Sequence, residues 1–393
     1  MKRAISDRCS CSVDGSHSGV CWAALLIGGL FSRTVDFPAL RAEFPVLRRV
    51  AYLNAGTDGP LPARAVEAAA QELEREAQEG RSSAHFGRRS ELGRDLRRAY
   101  AGLLGCEPRD LALTSCTSEG IAGTVAGLPL GPGDEILTSD EEHPGLLGAL
   151  VAARELRGVS IREVPLARIA DEVGARTRLV ACAHVGWVSG STAPAELAEV
   201  DVPVLLDGAQ GVGAIAVDVH ALGCDAYAGA GQKWLCGPDG TGMLYLSASL
   251  REQVQVSRRC FGNLLDPDAG LQARLQEDAR RFDSPSLSAE TLACALAALG
   301  LLESVGWAAA HRRARDLAAR LAALLAERGR EVAPRADTTL VSFASREPEQ
   351  ERAQLAESGC IVRNIPGRPW LRASVGAWND EADLDRLLAT LSR

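Results

Sequence analysis

Short apolar runs typical of β-strands alternate with helical segments through the middle of the chain, and this alternation constrains the fold most. The runs are residues 111–114, 135–138, 159–164, 179–183, 202–206, 226–228 and 242–246. The pattern predicts an α/β domain with a mainly parallel sheet and helices on both faces. In such sheets ligands bind beyond the carboxyl ends of the strands. Functional side chains are therefore expected in the loops after residues 114, 138 and 206.

The length of the chain, 393 residues, favours two domains over a single core. Helices are predicted at 62–79, at 88–104 and through a long region at 288–329, and the last part is predicted to form a strand, a helix, two short strands and a helix. We assign residues 35–300 to a large domain, whose first residues pack with the small domain. Residues 301–393 form the small C-terminal α/β domain.

Composition and charge exclude several classes of protein. The net charge is −8, and no basic run with interleaved aromatic residues offers a nucleic-acid surface. The eleven cysteines are odd in number and mostly isolated, which favours free thiols in a reducing cytoplasm. Cys9 and Cys11 lack a second pair of ligands at metal-site spacing, so no metal site is expected.

Residues 1–34 differ from the rest, because Ser, Cys and Gly dominate until an apolar run at 22–31. That run is too short to span a membrane, and it lacks a clear small-residue cleavage site. We expect a disordered extension, or a start codon placed too far upstream, and no membrane association.

One ordered set of polar residues indicates the chemistry. An apolar run at 204–206 ends on Asp207, Gln210 follows three positions later, and Lys233 lies in a turn of small residues. An acid at the end of a strand can keep a pyridine nitrogen protonated, and a lysine can hold an aldehyde as an imine, which suits pyridoxal 5'-phosphate (PLP). Taken singly, the acid could be a helix cap and the lysine a surface group.

The order and spacing of these three residues resemble the class V aminotransferase family, which includes cysteine desulfurases, isopenicillin-N-epimerase-like proteins and related C–S lyases. The resemblance extends over residues 37–391. It implies the PLP-dependent transferase fold of type I, with Lys233 carrying the cofactor, Asp207 at the ring nitrogen and Gln210 at the phenolic oxygen. It also implies a homodimer with sites at a two-fold interface.

The start of a predicted helix offers a phosphate site. Thr117 and Ser118 follow the strand at 111–114, and hydroxyl and backbone N–H groups at a helix start bind anions. The resemblance places the PLP phosphate there, although an ordinary helix cap is the alternative. Gln232 precedes the lysine, and it either contacts the phosphate or packs the turn.

Two histidines match family positions. His143 corresponds to the residue that stacks on the pyridine ring, which would make it a catalytic residue. Pro144 is predicted to start a helix, so a capping role is the alternative. His184 also matches a position near the site, with a buried structural role as the alternative.

Two arginines are candidates for binding the substrate. By resemblance, Arg372 grips the α-carboxylate of an amino acid through two parallel hydrogen bonds. Arg363 is the second candidate and lines the entrance, while Asn54 and Thr57 are candidate substrate contacts. The alternatives are surface salt bridges for the arginines and a simple turn for the other two.

The chain departs from the desulfurase pattern at three places. Residues 362–370 contain no cysteine where a nucleophilic thiol is usual, and Cys360 is expected to be packed. Trp187 replaces an Asn that contacts cofactor or substrate. Residues 281–286 lack the Gly-Thr whose hydroxyl reaches the neighbouring subunit's phosphate, so Ser284 or Ser286 would have to substitute.

These features together predict a PLP-dependent enzyme that acts on a small amino acid. Burial should lower the pKa of Lys233 so that its amine can move the Cα proton. A desulfurase-like Cβ–S lyase without a persulfide cysteine is favoured, with an amino-acid epimerase as the alternative and an aminotransferase third. A non-enzymatic PLP-binding module is disfavoured because candidates for the lysine, the ring acid and the carboxylate-binding arginine are all present.

Overall fold

Helices and strands alternate along the computed structural model, which describes residues 35–391. The helices are α1 Phe37–Ala42, α2 Ala63–Glu79, α3 Ser83–Leu104, α4 Thr117–Gly127, α5 Pro144–Arg157, α6 Ala248–Gln253, α7 Ala289–Ser304, α8 Trp307–Glu327, α9 Pro348–Glu357 and α10 Glu381–Thr390. The strands are β1 Ala51–Tyr52, β2 Leu111–Thr114, β3 Glu135–Ser139, β4 Ser160–Val164, β5 Thr177–Ala183, β6 Val204–Asp207, β7 Ala226–Ala230, β8 Gly242–Leu246, β9 Leu340–Ala344, β10 Cys360–Ile361, β11 Arg363–Asn364 and β12 Trp370–Ser374.

Seven strands form the central sheet, in the order β2-β8-β7-β6-β5-β3-β4. The pairs from β7 to β4 are parallel, whereas β8 runs antiparallel to both β7 and β2. Strands β2, β3, β6, β7 and β8 are buried along their whole length, as expected when both faces of a sheet are covered. The predicted α/β fold with a mainly parallel sheet is confirmed.

Alternate residues of each strand enter two different cores. On β6, Leu206 belongs to the cluster that packs against α3 and α7, while Leu205 belongs to the cluster that packs against α4 and α5. This is the period of two that a strand imposes on its side chains. Helices on both faces therefore hold the sheet rigid, and its carboxyl-end loops are left free to carry polar groups.

The helical region predicted at 288–329 consists of two helices. Helices α7 and α8 meet at an angle of 80°. Gly306 caps the start of α8 with φ of 82°, a conformation that glycine adopts without steric cost. No single helix within residues 35–391 is long and apolar enough to cross a membrane, and the bent pair α7–α8 meets that test only in combined length and composition.

The last part of the chain forms a second, smaller sheet. Its antiparallel order is β11-β12-β9, and β10 pairs in parallel with β1 from the other end of the chain. Three short strands therefore follow α9, where two were predicted. Leu53, Phe343 and Leu371 share the core beneath this sheet. The domain boundary at residue 300 stays a prediction, and the expectation for residues 1–34 lies outside the described residues.

Candidate active site

A pocket of about 210 Å³ opens beyond the carboxyl ends of the central strands. Most of the residues singled out from the sequence line it together. The lining residues are Gly56, Thr57, Cys116, Thr117, Ser118, His143, Trp187, Asp207, Ala209, Ala230, Gln232, Lys233 and Arg363. Loops after β2, β3, β6 and β7 therefore bring residues that are far apart in sequence into one site.

Lys233 and Asp207 line this pocket from neighbouring loops. Burial lowers the pKa of Lys233 to about 8, against the opposing effect of Asp207. Burial raises the pKa of Asp207, while Lys233 and a hydrogen bond from the Ala209 N–H (2.9 Å) lower it. The neutral amine, which a nucleophile or a base requires, is thus a far larger fraction at physiological pH than in an ordinary lysine.

The start of α4 is open toward the pocket. Cys116 precedes the helix, and no side chain caps its first N–H groups. The Thr117 hydroxyl is buried without a partner, as is the amide oxygen of Gln232. Glu119 instead accepts hydrogen bonds from the N–H and hydroxyl of Ser115, both at 2.6 Å. The Thr117 hydroxyl and the uncapped N–H groups are therefore the free donors that an anion needs, whereas the Gln232 oxygen is an acceptor.

Gly145 lets the starts of α4 and α5 approach each other. A Cβ at this position would lie 2.4 Å from the Ser118 hydroxyl oxygen. That distance is shorter than van der Waals contact, so a side chain at position 145 would displace the Ser118 hydroxyl. Ser118 is thereby held between two helix starts at the edge of the pocket.

His143 combines a cap with a place in the pocket wall. Its Nδ1 accepts a hydrogen bond from the Gly145 N–H at 3.0 Å, and its ring meets the Trp187 ring edge-on at 5.1 Å. Burial lowers the pKa of His143 to about 4, and Lys233 and Arg372 contribute. The imidazole is therefore neutral, with its proton on Nε2. Both roles considered for this residue are compatible with the structure.

His184 does not line the pocket. Its Nδ1 lies 3.1 Å from the Tyr227 hydroxyl, and the two rings meet edge-on. This is the buried structural arrangement that was the alternative. Gln210 is also engaged within the chain, since its amide donates to the Gly56 carbonyl (2.7 Å) and accepts from the Trp234 indole (3.0 Å). Its contact with a cofactor stays a prediction.

Arg372 lies behind the pocket wall and is fully buried. One nitrogen donates to the Trp187 carbonyl at 2.7 Å, but Nε and Nη2 have no partner. A Cβ on Gly56 would lie 2.9 Å from Arg372 Nη2 and 2.7 Å from the hydroxyl of Ser374, which is also unpartnered. Burial and Arg363 lower the pKa of Arg372 to about 9. A buried guanidinium without a counter-ion is energetically costly, and an anionic ligand would remove that cost.

Arg363 lines the pocket itself, and Asn54 does not. Arg363 lies 3.5 Å from the Thr57 hydroxyl, which in turn donates to the Asn54 side-chain oxygen at 2.8 Å. Asn54 faces an adjoining cavity that shares Arg363 as a wall. The structure thus brings Arg363 and Thr57 to the pocket and leaves Asn54 one step away.

Glu142 is a buried acid that the sequence did not reveal as part of this region. It accepts hydrogen bonds from the Ser139 hydroxyl and from the Ala183 N–H (2.9 Å), and its second oxygen has no partner. Burial raises the pKa of Glu142 to about 8, and the nearby Asp207 adds to the shift. Its place directly before His143 was the available signal, but an acid in a loop is usually exposed.

The thiols are distributed differently from those of the desulfurase pattern. Cys360 is buried in β10, and its sulfur lies 4.0 Å from the Thr390 hydroxyl. Cys116 lines the pocket beside Thr117, a position that the sequence analysis did not single out. Within residues 35–391, no cluster of three or more His, Cys, Asp or Glu side chains could hold a metal ion, and Cys9 and Cys11 lie outside that range.

Comparison with known proteins establishes the family. The model of the family described as aminotransferase class-V matches residues 51–387. The chain belongs to this family. The resemblance inferred from Asp207, Gln210 and Lys233 is therefore confirmed.

Curated relatives in the class V aminotransferase family have different activities. The chain is 29% identical over 405 residues to the isopenicillin N epimerase of Streptomyces clavuligerus, covering 91% of this chain and 98% of that protein. It is 31% identical over 252 residues to the probable cysteine desulfurase of Methanothermobacter thermautotrophicus, covering 60% of this chain and 62% of that protein. The match thus spans less than two thirds of the second relative's length.

Solved structures of the protein C-DES are similar to this class V aminotransferase over most of its length. A lysine-to-alanine variant with glycine covalently linked to the PLP cofactor has a TM-score of 0.83 and 28% identity, covering 89% of this chain and 98% of that one. A complex of this cystine C–S lyase with its product cysteine persulfide has the same score and identity, covering 88% and 98%. The predicted fold type and cofactor are confirmed: the protein is a PLP-dependent enzyme.

Proposed function

We propose that the protein is a Cβ–S lyase that cleaves a small amino acid carrying sulfur on Cβ, without a persulfide cysteine. The proposal is carried by one observation: the pocket contains Lys233 and lies beside the unpaired guanidinium of Arg372, while residues 361–370 contain no thiol. The similarity to C-DES supports cleavage at Cβ.

The residues of the pocket fit PLP. The open start of α4, with the unpartnered hydroxyl of Thr117 and with Ser118, suits the phosphate. Asp207 is buried, and its carboxylate would keep the ring nitrogen protonated by pairing with the positive charge there. The amine of Lys233, with its pKa lowered to about 8, suits the aldehyde. When bound, PLP supplies an electron sink for the bonds at Cα.

Each residue then has a defined task in the reaction. Lys233 removes the proton from Cα, and Arg372 binds the α-carboxylate so that this proton faces the amine. His143, which lines the pocket with a neutral ring, would be the residue that packs against the cofactor. Gln232 has an unpartnered amide oxygen in the pocket that contains Thr117 and Ser118, the proposed phosphate site.

The overall reaction balances as an elimination followed by hydrolysis. The Cα proton is lost to Lys233, and the Cβ–S bond breaks with its electron pair on sulfur. The thiolate takes up a proton, and the released 2-aminoacrylate reacts with water to give pyruvate and ammonium. No external oxidant or reductant is required.

Epimerisation is the second candidate, and the match to 98% of isopenicillin N epimerase favours it. The same proton removal at Cα would then be followed by protonation from the opposite face, with the Cβ–S bond intact. Both reactions need Lys233 and Arg372, so the products decide between them.

Product analysis with S-substituted L-cysteines tests the proposal. We expect pyruvate, ammonia and thiol in equal amounts, with Lys233→Ala inactive and lacking the pyridoxyl group that borohydride fixes on Lys233 of the native protein. Cys360→Ser and Cys116→Ser are matched thiol controls, and both should retain turnover because neither sulfur carries the reaction.

Other products would lead to other conclusions. Loss of optical activity without pyruvate would establish epimerisation, and dependence on a keto acid would establish transamination. Absence of product from a broad panel of amino acids would exclude the lyase. Full activity of the Lys233→Ala protein in its biological role would favour a PLP-binding module.

Assembly and location belong to the same proposal. We propose a homodimer, as the resemblance implies, and a cytoplasmic location. The cysteines within residues 35–391 are all free thiols, which suits a reducing compartment.

A further inference from the structure

A second cavity adjoins the active-site pocket on the far side of Arg363. Its volume is about 370 Å³, larger than that of the pocket itself. The residues that line it are Asn54, Glu349, Arg352, Val362, Arg363 and Asn364. Arg363 is the residue that both cavities share, so its side chain lies between the active-site pocket and this second cavity, which we call the outer chamber.

The side chain of Arg363 is held loosely in this position. Its contact with the Thr57 hydroxyl is 3.5 Å long, and its Nε is buried without a partner. A buried donor without a partner is costly, and a ligand with an acceptor would remove that cost. Arg363 is therefore available to an anion from either side.

The outer chamber carries a positive charge. Arg352 of α9 faces it and has no ion-pair partner among the described residues, and Glu349 is the acid of the lining. Two guanidinium groups against one carboxylate leave a net charge of +1. The amides of Asn54 and Asn364 add neutral donors, so the chamber matches a single carboxylate better than a doubly charged group.

The small volume of the inner pocket determines where a substrate must extend. The pocket of about 210 Å³ has to hold the cofactor as well as the amino-acid head group. The outer chamber, which shares Arg363 with the pocket, offers the space into which a substituent on the sulfur atom can extend.

We infer that the outer chamber binds the distal carboxylate of the substrate, between Arg363 and Arg352. The inference rests on the proposed lyase function and names its substrate class: L-cysteine thioethers with a carboxylate at the far end of the sulfur substituent. Arg372 holds the α-carboxylate, and Arg363 with Arg352 selects the second one. Selection of this kind acts on binding and leaves the elimination step unchanged.

A matched pair of substrates tests this inference on the holoenzyme. S-(2-carboxyethyl)-L-cysteine and its amide, S-(2-carbamoylethyl)-L-cysteine, have the same shape and differ in one charge. We expect the acid to have a kcat/KM about tenfold higher, as a charge-assisted contact provides. The dissociation constant, measured from the change in cofactor absorbance, should differ in the same direction.

Two arginine variants assign the effect to the chamber. Arg352→Gln should lower kcat/KM for the acid about tenfold, because the glutamine side chain fills the same place without a charge. The kcat/KM for the amide should stay unchanged. Arg328→Gln removes the same charge from the solvent-exposed end of α8 and should preserve the preference. Equal kcat/KM for acid and amide, or an equal loss for both in Arg352→Gln, would overturn the inference.

Failure of the lyase proposal is distinguishable from failure of this inference. If neither thioether is cleaved, the proposed reaction is wrong. Binding of the acid and the amide to the holoenzyme, together with competition by adipate against hexanoate, still decides whether a second carboxylate is preferred. Stronger binding of the acid and of adipate, lost in Arg352→Gln, supports the chamber, and equal binding refutes it.

Discussion

At the scale of single residues, the carboxyl group of Glu142 is the least expected feature. Its hydrogen bonds come from Ser139 and Ala183, and β5 and β6 pair Ala183 with Asp207. Glu142, Asp207 and the Cys182 thiol thus share one buried region, in which Glu142 and Asp207 both raise the pKa of Cys182. A second negative charge here would oppose the charge on Asp207, so a protonated Glu142 supports the site.

Stability should therefore fall as pH rises through the titration of Glu142. Its pKa is raised from 4.5 to about 8, so the folded state binds this proton more tightly than the unfolded state. The stabilisation is complete below about pH 4.5 and is lost as pH approaches 8, with a slope of about 1.4 kcal/mol per pH unit.

Denaturant unfolding of the cofactor-free protein across this range measures the slope. Glu142→Gln cannot ionise and should lack this fall in the free energy of unfolding. Glu155→Gln, at an exposed position of α5, should unfold like the native protein. The same slope in Glu142→Gln and in the native protein would contradict the assignment.

Lys233 gives a second dependence on pH, in cofactor capture. With a pKa of about 8, its neutral amine becomes tenfold rarer for each pH unit below that value. We expect the rate of PLP incorporation into the apoprotein, followed by absorbance, to rise with pH to a midpoint near 8 and to level off above it. Asp58→Asn should move this midpoint to lower pH, because Asp58 raises the pKa of Lys233. A rate independent of pH would argue against a titrating Lys233.

The sequence predicted the residues of the site better than their contacts. Asp207 is the last residue of β6 and Lys233 lies in the loop after β7, and the carboxyl ends of parallel strands meet at one edge of a sheet, so their convergence was predictable. The bonds of Gln210 to Gly56 and Trp234 join segments far apart in the chain. Such pairings depend on tertiary packing, and no local pattern encodes them.

At the scale of elements, the strand positions and the mainly parallel sheet were predictable, but the antiparallel direction of β8 was not. The runs at 111–114 and 242–246 coincide with β2 and β8, and each of the other five runs differs from its strand by one to two residues at one or both ends. Apolar composition indicates a buried strand but does not depend on the direction of that strand. The antiparallel direction of β8 between β7 and β2 therefore could not be predicted from the sequence. The bend between α7 and α8 at Gly306 was missed because apolar periodicity continues on both sides of it.

Two glycines in α5 distinguish the effect of packing against Ser118, at the proposed phosphate site, from the effect of helix propensity. Alanine at either position should favour the helix by up to about 1 kcal/mol. A Cβ on Gly148 would meet no atom within 4 Å, whereas one on Gly145 would lie 2.4 Å from the Ser118 hydroxyl. We expect Gly148→Ala to bind PLP normally and Gly145→Ala to bind it about tenfold more weakly, since Ser118 must turn away. Equal dissociation constants, measured by PLP titration, would exclude a role for Ser118.

At the scale of the whole molecule, the segment between α6 and α7, residues 254–288, links the strand and helix of the proposed phosphate site to the surface. Arg97 and the Leu113 N–H bind the Asp283 carboxylate at 2.7 and 2.9 Å, and the Ser284 N–H donates to the Leu113 carbonyl at 2.8 Å. Arg258 pairs with Glu119 of α4. Any surface bound by this segment would therefore lie close to the proposed phosphate site.

This segment also exposes apolar side chains, as a site of self-association would. Phe261 is 75% exposed and Leu271 is fully exposed, with a relative exposure of 103%. Large apolar groups in one exposed segment favour burial by a partner. The resemblance implies that the partner places a hydroxyl at the phosphate, and Ser284 and Ser286 in this segment are the candidates for that contact.

We therefore expect the loaded protein to sediment as a dimer, and the double change Phe261→Asp with Leu271→Asp to give monomers. The monomer should bind PLP about tenfold more weakly, because one hydrogen bond to the phosphate is lost with the partner. Leu156→Asp is the matched control, since Leu156 is 83% exposed on α5 and is not part of this segment, and it should leave the dimer intact. Sedimentation equilibrium and PLP titration measure both quantities. A native protein that is monomeric, PLP-loaded and active, or a double variant that stays dimeric with unchanged affinity, would refute this interface.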